Sequence, residues 1–294
     1  MRVHARAALR TTLVWNLSVF LSSMGLVGFT QLRAQELLVA AASDLAPAIP
    51  ALTQEVQQNL KLSIRVSAGS SGQLARQIEQ GAPFDLFLSA DENFVAQVCR
   101  AGRAETAAAQ PYAIGRLALW SKSGTVRRLE DLARPEVKRI AIANPGVAPY
   151  GRLAKEALER AGLWIAVQPK LVYAESARQT MQFAATGNVD AALTPWTLVH
   201  DKGGILLPDA LRQTGVVLKG SRNAAAARAL LDFLRTSGGN GVLWRHGLMP
   251  VDAAGQPLAQ NLQHDNGDGK NGGTDKQAKK PERLRPAKKR NKDK

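Results

Sequence analysis

Short apolar runs alternate with amphipathic segments from residue 37 to about residue 246. The runs predict strands, and the segments with apolar positions three or four residues apart predict helices. This alternation is typical of an α/β layered fold. The predicted strands are 37–41, 62–66, 86–89, 116–120, 139–143, 170–173, 190–193 and 216–218. The predicted helices are 46–59, 72–80, 92–101, 151–161, 176–186, 224–236 and 239–246.

The pattern restarts near residues 112–117, and a return crossing is expected near 207–217. A body of about 230 residues is large for one α/β layer and comfortable for two. We therefore predict one lobe from residues 35–113 together with 216–262, and a second lobe from residues 114–215.

The two ends of the chain differ from this body. Arg2, Arg6 and Arg10 precede an apolar stretch at 13–29, and Ala34 offers a small residue for cleavage. This is the pattern of a signal peptide at 1–34, cleaved near Ala34, with an uncleaved anchor helix as the alternative. Residues 263–294 hold one large apolar side chain, Leu284, and are predicted to be a disordered basic tail.

Charge and cysteine content exclude several function classes. The formal net charge of +15 falls to about +5 once the basic ends are set aside, so the body is only mildly basic. An exported, mildly basic body gives no reason to expect nucleic-acid binding. The single cysteine, Cys99, cannot form an internal disulfide, and no His or Cys pair has metal-ligand spacing.

Two serine turns follow predicted strands and precede predicted helices. The first is Ala42-Ser43-Asp44, and the second is Gly69-Ser70-Ser71-Gly72. The start of a helix presents unpaired N–H groups and a positive dipole end, so such turns favour anions. Related junctions recur at 144–151 and 174–178. Ligands of open α/β sheets bind at the carboxyl ends of strands, where all four junctions lie.

These serines also fit two roles that involve no anion. A serine before a helix is the common N-cap, which needs no ligand. A hydrolase triad of Ser43, His200 and Asp201 can be written down, but the G-x-S-x-G elbow is missing. We therefore predict a binding protein rather than an enzyme.

A family resemblance rests on specific runs of residues. Ala-Ala-Ala-Ser-Asp-Leu at 40–45 and Gly-Ser-Ser-Gly-Gln-Leu-Ala-Arg-Gln-Ile-Glu-Gln-Gly-Ala-Pro-Phe-Asp-Leu at 69–86 resemble the periplasmic molybdate-binding proteins of ABC importers. The match continues at Asn144-Pro145 and Ala148-Pro149-Tyr150-Gly151-Arg152, and covers about residues 36–250. It implies a two-lobed type II periplasmic binding protein fold that closes over one tetrahedral oxyanion.

The resemblance also implies a ligand set. Ser43 and Ser71 would bind the anion through hydroxyl and backbone, and Tyr150 and Ala177 mainly through backbone N–H groups. The candidate for a fifth contact is Thr194, at the position where one branch of the family has a tyrosine. Here the side chain is shorter, and Pro195, which has no N–H, follows. We expect the Asp44 carboxylate to turn away from a dianion. Molybdenum would thus be held as molybdate, through the oxygens of the anion.

The expected partners follow from the same resemblance. They are molybdate or tungstate as ligand, a membrane permease and its ATPase; the protein would be a periplasmic monomer without a cofactor. The alternatives are a binding protein of the same fold for sulfate, phosphate or a small organic anion, and a sensory or adhesion module that uses the basic tail.

Overall fold

Nine strands make one sheet in the computed structural model, which describes residues 36–252 and 254–258. The predicted signal peptide (1–34) and basic tail (263–294) lie outside these residues. The strands are β1 Leu37–Ala42, β2 Ile64–Gly69, β3 Leu86–Ser89, β4 Gln110–Trp120, β5 Ile140–Ala143, β6 Leu171–Ala174, β7 Ala191–Pro195, β8 Ile205–Val217 and β9 Met249–Pro250.

Seven of the α-helices in the described residues overlap the predicted helices, and the short helix at Trp164–Val167 was not predicted. In the described residues the α-helices are α1 Ile49–Leu60, α2 Ser71–Glu79, α3 Glu92–Arg100, α4 Pro149–Arg160, α5 Trp164–Val167, α6 Ala177–Thr186, α7 Ala224–Phe233 and α8 Ser237–Arg245.

The sheet has two parallel ends and an antiparallel middle. Its order is β2-β1-β3-β8-β4-β7-β5-β6, with β9 paired to β4. Strand β1 runs parallel to β2 and β3, and β5 runs parallel to β6 and β7. The long strands β4 and β8 pair antiparallel with each other and join the two ends. An α/β chain with two parallel ends and two long connecting strands is the predicted two-lobed fold.

Separate hydrophobic cores pack around the two ends. One contains Leu119, Ile142, Leu158 and Leu193, from β4, β5, α4 and β7. A second contains Val39, Leu88, Leu230 and Leu243, from β1, β3, α7 and α8. A third lies on the other face of β1 and β3, around Ala40, Phe87 and Leu74 of α2. Alternate residues of β1 and β3 thus face different cores, as the period of a strand requires.

Two boundaries differ from the prediction in ways that matter for the site. The strands β4 and β8 are far longer than the predicted 116–120 and 216–218, because both continue across the middle of the sheet. The first helix begins at Ile49 rather than at residue 46, because a 3-10 helix at Ser43–Leu45 and a turn at residues 46–48 precede it. Within the described residues, no helix combines the length and the apolar character needed to cross a bilayer.

Candidate functional site

One small pocket lies where the strands of the two parallel ends finish. Its cavity volume is only about 10 Å³, which is about the space that one water molecule needs. Among the described residues that line it, none is Lys, Arg or His. The first wall follows β1, β2 and β3, and the second comes from the starts of α4 and α6. The lining residues are Ala42, Ser43, Asp44, Gly69, Ser70, Ser71, Ala90, Ala148, Pro149, Tyr150 and Ala177.

Ser43 and Ser71 bring hydroxyl groups to the first wall. Ser43 is the first residue of the 3-10 helix after β1, and Ser71 is the first residue of α2. Both residues are almost fully buried. The Ser71 Oγ accepts a hydrogen bond of 3.1 Å from the Ala90 amide, which leaves its own proton free for another acceptor. The two serines that the sequence singled out therefore meet at one pocket.

Tyr150 and Ala177 bring helix starts to the second wall. Tyr150 follows Pro149 in the first turn of α4, and Ala177 is the first residue of α6. The first N–H groups of an α-helix have no partner within the helix, so these amides are available to a ligand. The Gly151 amide, by contrast, is not available to a ligand, because it donates to the Ala148 carbonyl at 3.0 Å.

The remaining serines of these junctions have structural partners. The Ser176 Oγ accepts from the Gln179 amide at 3.3 Å, so Ser176 is the N-cap of α6. The Ser70 Oγ donates to the Val147 carbonyl, which belongs to the loop before α4. The paired hydroxyls of the Gly-Ser-Ser-Gly turn thus have different surroundings: Ser71 faces the pocket with a free proton, while Ser70 bonds the opposite wall.

Asp44 lies in the pocket lining and is bonded to Tyr150, a predicted site residue, and to Gln213, which the sequence did not single out. Its Oδ2 accepts from the Tyr150 hydroxyl at 3.0 Å and from the Gln213 Nε2. The Gln213 Oε1 accepts in turn from the Tyr112 hydroxyl at 2.7 Å. The Asp44 Oδ1 is buried without a partner in the described residues. Gln213 stands between Arg212 and Thr214 in β8, so no apolar pattern in the sequence marked it as part of this network.

Burial controls the acidity of the three ionisable groups in this network. It raises the pKa of Asp44 from its usual 3.8 to about 6, although the hydrogen bonds from Gln213 and Tyr150 oppose the rise. Burial, reinforced by the nearby Asp44 charge, also raises the pKa of Tyr112 and of Tyr150 well above 10. Both phenols therefore stay protonated at neutral pH and act as donors.

Thr194 is not among the residues that line the pocket. It lies in β7 opposite Ala118, fully buried, and its Oγ1 has no partner in the described residues.

His200 and Asp201, which the hypothetical hydrolase triad would combine with Ser43, are not part of the pocket lining. The Asp201 carboxylate pairs with Lys202, and the His200 ring packs 6.2 Å from that of Trp196.

A larger groove lies at the opposite edge of the sheet. Its cavity volume is about 530 Å³, and it lies near the starts of β1 and β3. Its central acid, Asp85, already accepts from the Leu38 amide, the Ser221 hydroxyl and the Asn223 side chain, which fixes the 221–223 turn to the strands. The groove contains none of the predicted site residues. No group of three or more His, Cys, Asp or Glu in the described part of the chain could hold a metal ion.

The fold and the pocket together define a class of protein, the solute-binding proteins that hold a small ligand between two lobes. Residues 37–249 match the family model described as "Bacterial extracellular solute-binding protein", and the chain belongs to this family.

Molybdate-binding proteins are among its relatives. The chain is 37% identical over 184 residues to the molybdate-binding protein ModA of Rhodobacter capsulatus, covering 59% of this chain and 72% of that one. It is 32% identical over 218 residues to ModA of Azotobacter vinelandii, covering 69% and 85% of the two chains. The solved structure of the Azotobacter vinelandii periplasmic molybdate-binding protein superposes with a TM-score of 0.69 at 26% identity, covering 74% of this chain and all of that one.

Proposed function

We propose that this protein captures molybdate or tungstate outside the cytoplasm and delivers the anion to an ABC importer. The observation that carries the proposal is the meeting of Ser43, Ser71, Tyr150 and Ala177 at one small pocket whose lining includes no cationic side chain. The relatives that bind molybdate, and their extensive coverage by this chain, support the same ligand.

Neutral donors are sufficient to hold such a dianion. A hydrogen bond to a charged group contributes about 1.5–3 kcal/mol, and several donors replace the water shell of the anion with fixed dipoles. The hydroxyls of Ser43 and Ser71 and the amides of Tyr150 and Ala177 are the proposed donors. The site residues therefore contact oxygen atoms of the oxyanion rather than the metal itself.

Size and protonation are the proposed basis of selectivity. Molybdate and tungstate are fully deprotonated at neutral pH and similar in size, whereas sulfate is smaller. A protonated phosphate brings a donor that a pocket built from donors leaves unsatisfied, which costs free energy. Thr194 is not a proposed donor to the anion, because it is absent from the pocket lining.

The proposed lobes are residues 35–113 with 216–262, and residues 114–215. Both proposed boundaries fall inside the long antiparallel strands β4 and β8. Bending of two adjacent strands is a simple hinge, and it would bring the two pocket walls together over the anion. Closure would then report occupancy to the permease and its ATPase.

The remaining features of the proposal concern the working protein. It acts as a monomer in the periplasm after cleavage near Ala34, needs no cofactor and catalyses no reaction. The membrane permease would recognise the closed, loaded form. These features are typical of transport by substrate-binding proteins, the class to which the relatives belong.

Calorimetric titration with molybdate, tungstate, sulfate and phosphate tests the ligand. We expect tight binding of the first two anions and weak binding of the others. Preference for sulfate or phosphate would favour the alternative of a same-fold protein for another anion.

Ser71→Ala tests the site. Loss of one hydrogen bond to a charged ligand should weaken molybdate binding by roughly 10- to 150-fold. The matched control is Ser123→Ala, which removes an exposed hydroxyl that bonds only neighbouring side chains and one local amide. Arg178→Ala, an exposed change beside Ala177, should cost far less than Ser71→Ala. Equal losses in all three variants would contradict this pocket as the binding site.

A further inference from the structure

Besides the ion pair between Arg152 of α4 and Asp91 after β3, two sets of hydrogen bonds join the walls of the pocket directly, without using the proposed anion donors. The first set is centred on the Val147 carbonyl, in the loop that leads into α4. This oxygen accepts from the Gly72 amide at 2.9 Å and from the Ser70 hydroxyl. Ser70 and Gly72 flank Ser71, so the turn that offers a donor to the anion also bonds the opposite wall.

Gly72 is required for this approach. A Cβ at position 72 would lie 2.6 Å from the Val147 carbonyl oxygen and 2.8 Å from the Phe94 ring. Any side chain there would therefore push the Val147 loop away. Glycine at this position fits a turn against which another stretch of backbone must close.

The second set lies deeper, where β4 and β8 pass behind the pocket. Tyr150 on the second wall donates its hydroxyl to Asp44 on the first wall at 3.0 Å. Gln213 of β8 donates to the same carboxylate, and Tyr112 of β4 donates to Gln213. Gly115 of β4 leaves the space that the Tyr150 hydroxyl and the Gln213 amide occupy. The network therefore ties both walls to both connecting strands.

We propose that these two sets, the Ser70–Gly72 contact with Val147 and the Tyr150–Asp44–Gln213–Tyr112 network, form a latch that holds the cleft closed around the anion. Ser70 and the Tyr150 hydroxyl are then positioning groups: they act through the geometry of the pocket and leave contact with the anion to the donors named above. This inference rests on the proposed function, because it describes how the same site is closed.

The latch links affinity to closure in a defined way. Its contacts require the walls to be together, so they stabilise the closed form and contribute nothing to the open one. An anion that enters the open cleft and is then held in the closed form is bound more tightly when closure is more favourable. Loss of a latch contact therefore shortens the lifetime of the complex, while entry of the anion into the open cleft is unchanged.

Ser70→Ala and Tyr150→Phe test the latch, each removing one hydroxyl and keeping every proposed donor. We expect molybdate to dissociate about three- to tenfold faster from each variant, with association rates unchanged. Small-angle scattering should show a smaller anion-induced compaction than in the native protein. The matched controls are Ser123→Ala and Tyr173→Phe, which remove hydroxyls from exposed residues and should leave both measurements unchanged.

The outcomes separate the latch from the function it serves. If the native protein binds neither molybdate nor tungstate, the proposed function fails. If it binds them while both variants keep the native dissociation rate and compaction, the latch is wrong and the function stands. A lower melting temperature of the free variants with native dissociation rates assigns these hydroxyls a purely structural role, which also overturns the latch.

Discussion

Asp44 shows at the scale of one residue how position in the fold decides chemistry. In the sequence, Asp44 follows Ser43 in the first serine turn, and we expected its carboxylate to turn away from the anion. In the structure it lines the pocket, is 1% exposed, and shares one carboxylate oxygen between Tyr150 and Gln213. A negative charge at this place costs free energy, because burial favours the protonated form.

The pH dependence of stability measures this cost. Because the pKa of Asp44 is about 6 in the fold and 3.8 ordinarily, the folded state binds more protons between these values. Its contribution therefore lowers stability as pH rises through this window, by about 2 kcal/mol between pH 4 and pH 7. We expect the free energy of unfolding of Asp44→Asn, relative to the native protein, to improve by that amount over the same range.

Urea unfolding without anion at pH 4, 5.5 and 7 provides the measurement. Any loss of packing in Asp44→Asn is the same at each pH, so only the change with pH is informative. A difference between the two proteins that is flat across the range would show that Asp44 does not titrate in this window.

Helix α4 shows at the scale of an element why the second wall stands where it does. Pro149 opens the helix at a position where its missing N–H costs nothing. Gly151, in the same turn, packs directly against the Ala143 carbonyl at the end of β5. This close approach of helix and strand brings the Tyr150 amide to the pocket. Neighbouring Arg152 adds an ion pair with Asp91 and another with Glu156 at 2.9 Å.

Gly151→Ala should disturb this packing. A methyl group there would overlap the Ala143 carbonyl, and overpacking of this kind costs typically 1–3 kcal/mol. We expect lower stability in denaturant unfolding, together with weaker anion binding as Tyr150 shifts. The control is Gly241→Ala in α8, where the nearest atom to a new methyl is the end of the Arg245 side chain at 3.4 Å. That change should be neutral or stabilising by up to ~1 kcal/mol, and equal losses in both variants would contradict a special role for Gly151.

At the scale of the whole molecule, the question is which parts of the chain anion binding needs. The described residues 36–252 and 254–258 contain the sheet, the cores and the pocket. Residues 264–294 are strongly basic and contain 11 Lys or Arg against 5 Asp or Glu. If the protein works by closing over an anion, this segment is not needed for binding.

Removal of residues 264–294 should leave anion affinity unchanged. At a molybdate concentration of about 100 times Kd, binding stabilises the folded state by about 2.7 kcal/mol, which corresponds to a rise in Tm of roughly 5–10 °C for a domain of this size. We expect the same rise for the full and the shortened protein in thermal unfolding. A smaller rise after truncation would favour the alternative in which the tail is the working part.

Local sequence determined the alternation of elements and the chemistry of the junctions. Runs such as Ile140–Ala143 and Leu86–Ser89 are buried strands because four consecutive apolar or small residues exclude water on both faces. The helix starts at Pro149 and Ala177, which lie within two residues of the predicted starts, follow from proline and capping rules that act over a few residues. The resemblance carried by 40–45 and 69–86 then indicated the family.

Tertiary structure alone decided the rest, because it depends on residues far apart in the chain. Strands β4 and β8 are long because each pairs with the other. Ser70 precedes a helix as an N-cap does, but its hydroxyl donates to the distant Val147 carbonyl instead. The partners of Asp44 lie 106 and 169 residues away. Short-range patterns fix which groups a junction offers, but long-range packing fixes which of them are bonded and which remain free for a ligand.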